Sequence, residues 1–178
     1  MTKRLILMRH AKSSWDNADV ADFERPLSPR GQRVAPLIGT HLTRRKLLPQ
    51  MVLCSSAKRA SSTWELVATS LPVPVAREIR VDHTKALYLA MPREMLKRIQ
   101  RVPSDVECLL LIGHNPGIAD LAGWLCGGGD QDKRMAMAKK FPTAAVAVID
   151  FNVGSWEEVE ADQGTLVDFT TPKQIAER

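Results

Sequence analysis

Arg4-Leu5-Ile6-Leu7-Met8-Arg9-His10-Ala11-Lys12 is the stretch from which the rest of the chain is read. The apolar run from Leu5 to Met8 shows no polar alternation, the pattern of a strand covered on both faces. Arg4–Met8 is therefore predicted as a buried strand, and Arg9 and His10 fall where it runs out into a loop. In open α/β sheets ligands collect beyond the carboxyl ends of the strands. A guanidinium there offers a forked donor set that suits phosphate. An imidazole there is a candidate base, metal ligand or nucleophile.

Two more junctions have the same form. Met51–Cys54 reads as a short strand and is followed by Ser55-Ser56-Ala57-Lys58-Arg59. Glu107–Ile112 holds the strongest buried run and is followed by Gly113-His114-Asn115-Pro116-Gly117. Between these strands lie helical periods. Ser28 caps a helix that opens at Pro29 and runs through Lys46. A second helix is expected from about Ala57 to Ser70, a third from Pro92 to Gln100, and a fourth from Gly117 to Cys126, ended by Gly127-Gly128-Gly129. Pro74–Ile79 reads as an edge strand. Ala144–Phe151 and Trp156–Glu160 read as a hairpin around Asn152-Val153-Gly154-Ser155. The tail after Thr170 shows no clear packing signal, and poor order is expected there. This alternation predicts a three-layer α/β/α sandwich with a mostly parallel sheet and an antiparallel edge. One domain is expected over residues 1–178.

The bulk numbers narrow the function classes. The chain has 178 residues, net charge +5, 44% apolar and 25% charged residues, ordinary for a globular protein. The positive balance favours anionic partners. Aromatics make up only 5%, too few for a base-stacking platform, so no nucleic-acid partner is expected. No run approaches the ~20 apolar residues of a membrane span, and the N-terminal apolar run is too short for a signal-peptide core. A cytoplasmic location is expected. Cys54, Cys108 and Cys126 are too few and too scattered for a disulfide framework or a zinc site. Cys54 does not fit a cysteine-phosphatase loop, because Arg59 follows it at five positions rather than six.

Three parallel strands must place their three polar clusters on one rim. That rim would hold two arginines, two histidines, several hydroxyls and two helix N-termini, all of which favour anions. None of the three clusters contains a carboxylate, so no Mg²⁺ or Ca²⁺ site is expected, and no cofactor. The set suits a tetrahedral dianion bound directly.

Arg9-His10 after the first strand, Arg59 after the second and Gly113-His114 after the fourth resemble the histidine phosphatase (phosphoglycerate mutase-like) superfamily. Met8 to Trp15, Arg25-Pro26-Leu27, Pro29-Arg30-Gly31 and Gly113 to Gly117 are similar to its small SixA-type phosphohistidine phosphatases. The matching segments span about residues 4–126. The resemblance implies that His10 is a nucleophile that becomes phosphorylated. Arg9 and Arg59 would grip the phosphoryl oxygens, and His114 would stabilise transition-state charge. Ser13, Ser14, Lys12 and Asn115 complete the expected substrate-binding set. The implied substrate is a phosphohistidine protein, with small phosphate esters and non-hydrolytic phosphoprotein binding as alternatives. Ala11 stands where the family more often has glycine. No carboxylate can be assigned as the acid for an oxygen leaving group; Glu78, Asp82 and Glu94 lie in the right part of the chain without a defining motif. Arg25 and Arg30 are expected to pair with Asp22 or Glu24 and brace a loop. His41 and His83 read as ordinary helix and loop residues.

Overall fold

The computed structural model describes residues 1–177. Seven strands form one sheet in the order β3-β2-β4-β1-β6-β7-β5. They are β1 (Lys3–Arg9), β2 (Met51–Ser55), β3 (Arg80–Thr84), β4 (Cys108–Gly113), β5 (Cys126–Gly129), β6 (Val146–Phe151) and β7 (Gly164–Thr170). β3, β2, β4 and β1 are mutually parallel. β6 runs against both β1 and β7 and supplies the antiparallel side of the sheet, while β5 lies parallel to β7.

The central strands are buried on both faces because their residues alternate between two cores. Ile6 and Met8 join Val52, Cys54, Leu110 and Ile112 on one face. Leu5 and Leu7 join Leu53, Leu109 and Leu111 on the other. Helices α1 (Pro29–Arg44) and α2 (Lys58–Ala68) cover the first face through Ile38, Leu42, Trp64 and Val67. Helices α4 (Pro92–Ile99), α5 (Gly117–Leu125) and α6 (Gln131–Lys139) cover the second through Met95, Ile99, Leu121 and Met137. This is the three-layer sandwich expected from the alternation. The α1 start is set by Ser28, whose hydroxyl accepts from the Gly31 N–H at 3.1 Å, a cap that contributes about 1 kcal/mol.

The structure revises four local readings. Residues 73–78 form helix α3 (Val73–Glu78) instead of a strand, and the edge strand β3 begins only at Arg80. Pro74 sits in the first turn of that helix, where its missing N–H leaves no bond unmade. The partner of β6 is not Trp156–Glu160 but β7, which begins thirteen positions beyond Phe151. Trp156–Glu158 is a 3₁₀ turn held by a capping box between Ser155 and Glu158. The Trp156 indole is fully buried there and donates to the Val106 carbonyl at 2.7 Å. Gly127-Gly128-Gly129 does not merely stop a helix; it lies within β5, and a Cβ on Gly127 would meet the Asp162 carbonyl oxygen at 1.8 Å. The segment after Thr170 forms helix α7 (Pro172–Ala176), whose Ile175 packs on the core beneath α1. Arg178 lies outside the described residues.

β1, β2 and β4 end on the same rim at Arg9, Ser55 and Gly113. β6 starts there, since Met8 is paired with Val146. The chain before β6, from Phe141 to Ala145, therefore closes one side of that rim.

Candidate active site

The rim holds a cleft of about 310 Å³ lined by Arg9, His10, Lys12, Ser13, Arg59 and His114, among others. Five of the expected residues besides Asn115 and Ser14 thus join His10 at one place, and Asn115 lines it too. Ser14 does not. Its hydroxyl accepts from the Asp16 N–H at 3.1 Å, and its own N–H donates to the Pro26 carbonyl. The turn after Ser13 consumes Ser14 as a structural acceptor.

His10 is fixed from both sides of its ring. Its Nδ1 donates to the Ala11 carbonyl at 2.7 Å. Its Nε2 lies 3.3 Å from Arg59 Nε, which donates to it. A guanidinium has no acceptor, so Nε2 carries a lone pair and Nδ1 the proton. Burial, together with Arg59, Arg9 and Arg25, pushes the imidazole down to about 4. At neutral pH His10 is a neutral imidazole with a defined nucleophilic nitrogen. The loop that carries it is tied to α2 by Thr63. Ala11 N–H donates to Thr63 Oγ1 at 3.0 Å, and Thr63 donates to the Arg59 carbonyl at 2.6 Å.

His114 lies beside His10, with ring centroids 5.0 Å apart. Its Nε2 is 2.7 Å from Ser55 Oγ. The same oxygen accepts from the Ala57 N–H at 3.3 Å. The His114 Nδ1 is buried with no partner among the described residues. Burial, with His10 and Arg59 adding repulsion, holds His114 down to about 3. Arg9 donates from one terminal nitrogen to the Phe141 carbonyl at 3.1 Å, while its Nε is buried and unpartnered. Burial also lowers the Arg9 pKa. Asn115 donates to the same carbonyl at 2.9 Å.

Several contributors were not singled out from sequence. Asp22 sits in the cleft wall and accepts from Arg25 Nε at 3.0 Å and from an Arg59 terminal nitrogen at 3.1 Å. Tyr88 donates to the same carboxylate and packs edge-on against the His114 ring. The Tyr88 hydroxyl and the two arginines hold the Asp22 carboxyl down to about 2. Arg25 does pair with Asp22, as expected, but it also lines the cleft, donates to Ser13 Oγ at 2.7 Å and stacks 3.5 Å from the Trp15 ring centroid. No residue spacing connects Asp22 or Tyr88 to His10; only folding does. Glu78, Asp82 and Glu94 are all outside the cleft lining. Glu78 precedes β3 at the opposite rim, Asp82 is in the middle of the edge strand β3, and Glu94 pairs with Lys97 on α4.

The model of the histidine phosphatase superfamily (branch 1) matches residues 5–84. A Mycobacterium tuberculosis protein of uncharacterised function is 37% identical over 93% of this chain and the whole of its own length. The chain belongs to the histidine phosphatase superfamily. Within it, the Escherichia coli phosphohistidine phosphatase SixA is 28% identical over 70% of this chain and 75% of its own. A solved structure assigned as SixA from Nakamurella multipartitia superposes with a TM-score of 0.81 at 26% identity, covering 97% of both chains. No described helix is long and apolar enough to cross a membrane.

Proposed function

We propose that this member of the superfamily is a phosphatase that passes a phosphoryl group through His10 and that its substrate is phosphohistidine on a protein. The observation that carries the reading is the pairing of a neutral, oriented Nε2 with buried N–H donors that have no protein acceptor. Arg9 Nε is one such donor, and His114 Nδ1 is the other in the tautomer whose Nε2 accepts from Ser55 Oγ. A buried donor without an acceptor costs about 1–3 kcal/mol, and a phosphoryl oxygen at the cleft would satisfy both.

In the first step His10 Nε2 attacks phosphorus, and the bond from phosphorus to the leaving nitrogen breaks. Arg9, Arg59 and His114 take up charge on the equatorial oxygens, which is most of what phosphoryl transfer asks of a protein. In the second step water attacks the phosphorus on Nε2, inorganic phosphate departs, and His10 returns to its neutral form. The leaving group favours a P–N bond. Asp22, the carboxylate in the cleft lining, is ionised far below neutrality and cannot donate a proton. A phosphoimidazole gains its proton from water before departure, because imidazole titrates near ~6.5. An alkoxide leaves slowly without an acid. The name of the E. coli relative points the same way.

The test is a rate comparison between a phosphohistidine protein and a panel of phosphate monoesters, with His10→Ala as control. Phosphohistidine should be preferred by at least about 100-fold in kcat/KM, and His10→Ala should abolish turnover of every substrate. A preference for esters would refute the substrate, and a fully active His10→Ala variant would refute the mechanism.

A further inference from the structure

We infer that a basic groove adjoining the cleft docks an acidic segment of the phosphoprotein substrate, an inference that rests on the phosphoprotein reading above. The groove has a volume of about 450 Å³ and is built from three separate parts of the chain. Lys139 ends α6 and Lys140 follows it, Lys173 lies in the first turn of α7, and Arg30 lies in the first turn of α1. Phe169 and Pro172 give it an apolar floor.

Three observations mark this surface as more than a solvated face. No carboxylate lines it. None of its four cations, all exposed, makes an ion pair among the described residues, whereas Lys133 on the same helix α6 is paired with Asp168 at 2.8 Å. The groove also adjoins the cleft. Thr143 lines both, and a small pocket lined by Lys12, Arg30 and Thr143 shares residues with each. An anionic chain lying in the groove would therefore lead directly to His10. Exposed like charges repel one another, and an acidic partner relieves that repulsion. The apolar floor fits a peptide with interspersed aliphatic side chains better than a sugar-phosphate backbone. Salt should weaken such docking, because exposed pairs are screened within a Debye length of ~10 Å at 0.1 M.

The experiment uses synthetic phosphohistidine peptides of equal length, with a run of Asp and Glu on one side, on the other side, or replaced by Ser and Asn. The full chain and its Lys139→Ser/Lys140→Ser/Lys173→Ser variant are compared at low salt, with free phosphohistidine as the small substrate. One acidic peptide should exceed the neutral one by about tenfold in kcat/KM, through KM, as a few exposed ion pairs together would give. The variant should lose that preference and keep the wild-type rate on free phosphohistidine. Fluorescence anisotropy of the same acidic peptide without the phosphoryl group reads docking without turnover. Equal rates on acidic and neutral peptides, or a preference that survives in the variant, would overturn the groove. So would lysine-dependent binding of a DNA oligomer or phosphatidylserine vesicles with no peptide preference. Should the acidic peptide bind in a lysine-dependent way while no phosphohistidine peptide is hydrolysed, the groove stands and the substrate assignment falls.

Discussion

At the residue scale, Asp22 sets the resting charge of the cleft. Its carboxylate draws on Arg25, Arg59 and Tyr88 together, so an incoming phosphoryl group must share the two arginines with an anion already there. Asp22→Asn removes the competitor while keeping similar hydrogen-bond geometry. Inorganic phosphate should then inhibit about 3–10-fold more tightly, equal to roughly 0.7–1.4 kcal/mol, as read from product-inhibition constants. Unchanged inhibition would show that Asp22 does not compete. His10, Arg9, Arg59 and His114 could be picked out in the sequence because each follows a strand or opens a helix on the same rim. Asp22 and Tyr88 could not, because they arrive from 3₁₀ turns and loops whose path depends on packing. Two neighbouring serines after a strand read alike for a related reason, and the folded chain pairs Ser13 with Leu27 and puts Ser13 in the cleft lining.

At the element scale, close approach holds the nucleophile loop against α1. A Cβ on Gly31 would lie 2.2 Å from the Lys12 carbonyl oxygen. Gly31→Ala must push the start of α1 from the loop two residues past His10, at a cost of about 1–3 kcal/mol. Tm should fall by roughly 3–10 °C, and kcat should fall with it. Gly123→Ala is the control, since a Cβ on Gly123 in α5 meets nothing within 4 Å. It should be neutral or stabilise by up to ~1 kcal/mol. Equal losses in both variants, measured by thermal unfolding, would remove the special role of Gly31. The central strands were readable because full burial leaves continuous apolar runs. Residues 73–78 and 152–163 were not. A proline fits a first helical turn as well as a strand edge, and Trp156 looked like a strand residue although Ser155 and Glu158 carry the S-x-x-E cap signature.

At the scale of the whole molecule, the cleft is a store of suppressed protonation. His10 and His114 are held down to about 4 and about 3 in the folded chain, against ~6.5 when unfolded. Between these limits the unfolded chain binds more protons, so stability rises with pH. It is fully present above ~6.5 and is lost as the pH falls toward about 4. Each imidazole should contribute on the order of 2 kcal/mol between pH 7 and pH 5. Urea unfolding at the two pH values measures the sum, and His114→Asn should remove about half of the dependence. A flat profile would mean that both rings titrate in the fold as they do in the unfolded chain. The acid limb of kcat/KM should lie near pH 4 rather than ~6.5. The sandwich itself was legible from the alternation of segments, whereas its antiparallel side was only half so, because β7 lies beyond a long connection. The stacking of Arg25 on Trp15 has one more consequence. Trp15 is 70% exposed and lines the cleft, while Trp64 and Trp156 are buried and Trp124 sits on α5. Vanadate drawing the guanidinium off that indole should alter the emission of this ring and leave the other three silent, so the protein carries its own optical gauge of occupancy, and Trp15→Phe should erase the signal.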